Sequence, residues 1–118
     1  MRAGREADEA ELRRFVPDLG DWATAVSALG PLVALTDERV VGVAVRWPHP
    51  DHVRLERLAV APDARRGGVG ARLLDAVERE AIEAGVNAVR AAATGGHVPL
   101  LLGHGYTHAA DGMLERRL

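Results

Sequence analysis

Six consecutive residues, Arg65-Arg66-Gly67-Gly68-Val69-Gly70, carry the strongest chemical signal in the chain. They join fixed positive charge to glycines just where an apolar pattern of helical period begins. Gly67, Gly68 and Gly70 permit positive φ and a close approach of backbone to a ligand. From Val69 onward the apolar spacing changes from two to about 3.6 residues. A helix opening there leaves up to four N–H groups without partners, aimed back at the end of the preceding segment. Those donors, the helix dipole, Arg65 and Arg66 make an anion site suited to phosphate or pyrophosphate. The loop is not a Walker A motif, which needs Lys before Ser or Thr; the chain contains no Lys. Nor is it a dinucleotide fingerprint, because Leu73 stands where the third glycine belongs.

Composition narrows the remaining chemistry. The 118 residues suffice for one domain, 1–118. With 47% hydrophobic residues and only four aromatic ones, the core must be built from Ala, Val and Leu. A net charge of −2 argues against a nucleic-acid surface. There is no Cys, hence no disulfide, thiolate ligand or thiol nucleophile. No apolar run reaches the length of a membrane span and no signal-peptide core opens the chain, so a soluble cytoplasmic protein without membrane partners is expected. His49 with His52, and His104 with His108, lack an ordered third ligand, so no metal is expected and solvated loops are the reading for them.

The elements that must position the glycine loop follow in order. Met1–Arg5 predicts a short strand. Asp8, with Glu11 three residues on, predicts a capped helix through Leu12 and Phe15 that Pro17 ends. Gly20 or Asp21 starts a second helix, closed by Gly30-Pro31. Leu32–Leu35 and Val40–Trp47 read as a hairpin turning at Asp37-Glu38-Arg39. His52–Val60 is the next strand, and Pro62 stops its pairing. The helix from Val69 puts Val69, Leu73, Leu74, Val77 and Ala81 on one stripe, with Arg72, Asp75, Arg79 and Glu83 opposite. Gly85 caps it. Ala88–Ala93 returns as a strand parallel to 52–60 by a right-handed crossover. A short helix at 98–102 and a last hairpin about Asp111-Gly112 complete the chain. Trp22 and Trp47 are read as core or hairpin packing.

The loop matches Arg/Gln-x-x-Gly-x-Gly/Ala, and it follows the strand Leu58-Ala59-Val60-Ala61-Pro62. In that order, strand, Pro, loop and amphipathic helix resemble the acetyl-CoA signature of the GNAT superfamily of acyl-CoA N-acyltransferases. The resemblance covers most of the chain. It implies an α/β (α+β) fold: a mixed, mostly antiparallel sheet flanked by helices, with a reduced N-terminal part. It implies acetyl-CoA as cosubstrate and a small-molecule or peptide amine as acceptor. Pantetheine would pair with backbone at Leu58, Ala59 and Val60. The pyrophosphate would rest on Arg65, Arg66, Gly67, Gly68, Val69, Gly70 and Ala71. A homodimer through the last hairpin is a further implication.

The family's second motif, Asn-x-x-Ala-x-x-Leu-Tyr-x-x-x-Gly-Phe, is altered. Counting back from Gly105-Tyr106 puts Thr94 at the Asn, His97 at the Ala and Leu101 at the Tyr that commonly protonates the leaving thiolate. Strict alternation places His52, Arg54, Glu56, Leu58 and Val60 on one strand face. Related enzymes carry a base on that face, at the positions of Glu56 and Arg54. Arg is no base at neutral pH, which leaves Glu56, acting directly or through water, with His52 further off. A carboxylate that only pairs with a nearby Arg is the alternative for Glu56. Two functions therefore stand: an N-acetyltransferase, or a degenerate module of the same fold that binds CoA or a protein without turnover.

Overall fold

The computed structural model describes all 118 residues. Seven strands, β1 (Arg2–Ala3), β2 (Leu32–Thr36), β3 (Arg39–Pro48), β4 (Val53–Val60), β5 (Ala88–Ala91), β6 (Thr107–His108) and β7 (Leu114–Arg117), make one sheet in the order β1-β2-β3-β4-β5-β7-β6. Only β4 and β5 run parallel; every other neighbouring pair is antiparallel. Four helices flank it: α1 (Glu9–Leu12), α2 (Trp22–Leu29), α3 (Val69–Glu83) and α4 (Val98–Gly103).

The apolar stripe of α3 decides the larger half of the core. Val69, Leu73, Leu74, Val77 and Ala81 are all buried, in one cluster with Val41, Ala44, Leu55, Leu58, Val60, Val89, Ala91 and Leu114. Each buried Leu or Val of this stripe contributes about 1.5–3 kcal/mol. Gly42 lets the helix lie close to β3: a Cβ there would stand 2.9 Å from Val69 and 3.0 Å from Leu73. Gly85, at φ +82, ends the helix as expected. On the other face Leu12, Val16, Leu19 and Trp22 cover Val33, Val40, Val43 and Val45. Trp22 also donates its indole N–H to Arg5 O at 2.7 Å. Trp47 does not pack this way and stays 46% exposed.

The N-terminal helix differs from its expectation. It is a single turn, and Asp8 does not cap it. Asp8 instead lies buried at the end of a 3-10 turn over Glu6–Asp8, accepting from Arg5 N at 2.8 Å and from both Arg2 Nη atoms at 2.8 Å. Glu11 reaches across to the sheet and accepts from Val40 N at 2.9 Å. Glu11's partner is fixed by tertiary packing, whereas Asp8's partners are near in sequence and reach it because the chain turns at Glu6–Asp8. Asp21 does cap α2, accepting from Thr24 N at 3.1 Å, and Gly30 closes it in the left-handed region.

Candidate active site

Where β4 and β5 part, the sheet opens. Their register runs Val53–Val89, Arg54–Arg90, Leu55–Ala91 and then stops. Beyond Leu55, β4 continues to Val60 paired only with β3, so its edge toward β5 has no strand partner from Glu56 to Val60. Leu58, Ala59 and Val60 lie on this free stretch.

The strand then turns at Pro62–Ala64 into the glycine loop. Arg65 donates Nε to Val60 O at 3.2 Å and ties the loop to the strand end. Gly68 stands at φ +76 as the residue before the helix, with no side chain capping it. The first helical bond at this end is Arg72 N to Gly68 O, 3.0 Å, so Val69, Gly70 and Ala71 keep N–H groups with no helical acceptor. Arg66, Gly67 and Gly68 are exposed beside them. Arg72, expected only to face solvent, closes the loop from below by donating to Gly67 O at 3.0 Å. Loop, free N–H groups and the open edge of β4 thus adjoin one another. The arrangement fits an anion joined to an extended, amide-bearing arm.

Gly70 has a different reason to be glycine. A Cβ there would lie 2.3 Å from Leu100 Cδ2 on α4. Its small size makes room for Leu100 where α4 meets α3.

Glu56 occupies a break in the strand. Val45 pairs with Arg57 and Arg46 with Leu55, which leaves Glu56 as the extra residue of a β-bulge. The bulge overturns strict alternation. Val53 and Leu55 before it, and Leu58 and Val60 after it, all enter the core under α3. Leu58 and Val60 therefore do not share a face with Arg54. Glu56 is exposed, its Oε1 3.2 Å from Arg54 Nε, with both side chains at least 40% open. Such a pair holds the carboxylate only weakly. Arg57 turns away, to Asp18 at 3.3 Å.

A groove of about 520 Å³ lies along β5 and β7, lined by Asp51, His52, Arg90, Asp111, Glu115 and Arg117 among others. Arg90 is its centre: its guanidinium bonds Asp111 and faces Glu115 Oε2 at 2.9 Å. The Asp111 bond holds that carboxyl below its ordinary range. Because Arg90 directly precedes Ala91, the groove begins one residue from the splay point. His52 lies at its lower end, stacked on His49 at 4.5 Å.

Leu101 is fully buried in the core and lines no open cleft. Tyr106, 2% exposed, does not replace a missing acid; it donates to Glu78 Oε2 at 2.9 Å. Burial, then the Glu78 carboxylate, push its hydroxyl far above the ordinary Tyr range. Nor is His104 a solvated loop residue: its Nε2 is 3.0 Å from Asp75 Oδ1 and 3.8 Å from Glu78 Oε1.

Compared with known proteins, the sequence matches the acetyltransferase (GNAT) family over residues 3–99. The chain belongs to that family. Its structure is similar to the crystal structure of Ard1 from Thermoplasma volcanium, with a TM-score of 0.82 at 18% identity over 99% of this chain and 95% of that one. Ribosomal-protein-alanine N-acetyltransferase from Brucella melitensis gives 0.72 at 23% identity, covering 99% and 98%. A GNAT family acetyltransferase from Elizabethkingia anophelis, solved with acetyl-CoA bound, gives 0.75 at 16%, covering 100% and 95%. At these identities the likeness is one of fold. No protein of curated function matches the sequence. The expected fold, a mostly antiparallel sheet flanked by helices, is the one observed.

Proposed function

We infer that this GNAT chain transfers an acetyl group from acetyl-CoA to an amine of a small molecule or peptide. The observation that carries the reading is the junction of an unpaired β4 edge with a glycine-bounded helix N-terminus. On this reading backbone at Leu58, Ala59 and Val60 holds the pantetheine arm. The loop from Arg65 through Arg66, Gly67, Gly68, Val69, Gly70 and Ala71 holds the pyrophosphate. Acetyl-CoA supplies the activated acyl group: the amine nitrogen bonds the carbonyl carbon, the C–S bond breaks and CoA leaves as thiolate. Glu56, at the bulge beside the splay point, takes the proton from nitrogen, directly or through one water, and the thiolate is finally protonated from solvent. The groove over Arg90 receives the acceptor. The solved fold relatives with acetyl-CoA or CoA bound support the choice of cosubstrate.

Purified protein mixed with acetyl-CoA and a panel of small amines and peptides with free N-termini is expected to release CoA with at least one acceptor. Gly68→Asp, which puts a carboxylate at the loop, is expected to abolish CoA binding by calorimetry. Unchanged binding in that variant refutes the loop assignment. A second reading, binding without turnover, draws on Leu101, buried where the family carries its acid. CoA binding without release across the panel would favour it.

A further inference from the structure

Glu78 is the one nearly buried Glu of the chain, 7% exposed on the inner side of α3. Its hydrogen bonds and ion pairs all come from the segment that follows α4 or from the last strand. Oε2 accepts from Tyr106 at 2.9 Å, and Oε1 accepts from Arg116 Nη1 at 3.0 Å. His104 sits between Oε1 and Asp75. His104 and Tyr106 follow the end of α4, whose first turn sets Leu100 against Gly70 at the start of α3. Thus α4 is fastened to α3 at two levels: by packing beside the glycine loop, and by an ion-paired carboxylate two turns further on.

The family motif ends in Gly-Phe, and this chain has Gly105-Tyr106. The added hydroxyl is buried and would be costly without an acceptor. Glu78 is that acceptor, so the two residues form a matched pair. Asp75, Glu78 and His104 place one ligand atom each within 4.8 Å of one another, a spacing that also suits a cation. Arg116 already supplies positive charge at Glu78, and the contacts are those of a clamp.

We propose that Glu78 is a positioning residue: its bonds to Tyr106, Arg116 and His104 hold α4 as the fixed second wall of the cofactor cleft. The inference rests on the acetyl-CoA reading above. Two measurements separate the two claims. The first is hydrogen exchange in the CoA-free protein. Glu78→Gln keeps the shape and loses the charge, and residues 98–106 are expected to exchange about tenfold faster while 22–29 are unchanged. The second is calorimetry with CoA, where the same variant should bind about tenfold more weakly. With an accepted amine the loss should appear in KM for acetyl-CoA, with kcat at saturation kept within about twofold. A merely structural role would raise exchange throughout and leave no such split. Tyr106→Phe removes the hydroxyl alone, and should shift both readouts in the same direction by less; it serves if Glu78→Gln does not fold. Unchanged exchange at 98–106 overturns the clamp whether or not CoA binds. Faster exchange with unaltered CoA affinity overturns the positioning role. If wild-type protein fails to bind CoA, the functional reading falls and takes the link to the cleft with it.

Discussion

Gly70→Ala separates two demands on the start of α3. If glycine is needed for contact with a pyrophosphate, a methyl group there interferes with binding whatever lies behind it. If it is needed for α4, the methyl must first displace Leu100. The added Cβ would stand 2.3 Å from Leu100 Cδ2. An ordinary carbon contact is about 3.7 Å, so something must move by about 1.4 Å. Leu100 is half-buried and partly adaptable, so the cost belongs with overpacking, about 1–3 kcal/mol. For a chain of this length that is a fall of roughly 4–12 °C in Tm. Leu100→Ala removes the obstructing methyls and costs something itself, on the order of 2 kcal/mol. The double variant is expected to lose at least about 1 kcal/mol less than the sum of the singles, the signature of direct contact. It is also expected to recover CoA binding. Thermal and urea unfolding of all four proteins, with calorimetry for CoA, gives the cycle. Additive losses refute the packing argument. Recovered stability without recovered binding returns Gly70 to the ligand.

Three further perturbations follow. Glu56→Gln keeps CoA affinity and should lower kcat/KM by roughly a hundredfold or more at neutral pH, with partial recovery at high pH where free amine accumulates; full activity across that range with an accepted amine would make Glu56 structural. The hairpin between β2 and β3 turns on Asp37 and Glu38, both at positive φ. Replacing them together by Asn-Gly should stabilise the protein by about 1 kcal/mol, read in urea unfolding. Asp8 is held below its usual carboxyl range first by its hydrogen bonds from Arg2, with a backbone N–H of Arg5 adding to them. Its contribution is therefore full above the unfolded pKa, about 3.9, and is lost as pH falls through the lower folded value. Asp8→Asn should destabilise at pH 7 by about 1–3 kcal/mol, and the gap from wild type should shrink in strong acid.

Much of the fold was written in spacing. The stripe from Val69 to Ala81 named both the helix and its buried face, and Gly85 its end. The parallel return expected over Ala88–Ala93 followed from a helix lying between two strands, and the strand ends two residues sooner, at Ala91. What spacing could not carry was anything decided by a partner distant in sequence. Glu11 had the pattern of a local cap, yet Val40, far along the chain, takes its carboxylate once the sheet forms, while Asp8 turns back over a short span to Arg2 and Arg5. Gly70 read as part of a phosphate loop, and its neighbour Leu100 lies thirty residues on. Tyr106 served only as the anchor for counting back along the family motif; that its hydroxyl needs Glu78 depends on burial, which no local pattern displays.

The bulge at Glu56 shows how one such miss bears on chemistry. Alternation over residues 52–60 gives a single wet face, and that face runs Glu56 into Leu58 and Val60. The sheet instead buries Leu55 and Leu58 on the same side, three residues apart, which is possible only if one residue is set aside. The residue set aside is a carboxylate at the point where β5 ceases to pair. Past it, β4 runs on with a bare edge inside the sheet, between β3 and the departing β5. A bare edge is a liability that proteins ordinarily cover with a charge, a bulge or another segment. Here the chain offers no strand to fill it, and the neighbouring helix start offers N–H groups without helical acceptors. A ligand with amide groups at one end and phosphate at the other would satisfy both, leaving its reactive end at the bulge. On the proposed reading, then, the same feature that breaks the hydrophobic pattern also places the base, and an alternation argument was bound to find the residue while missing why it stands there.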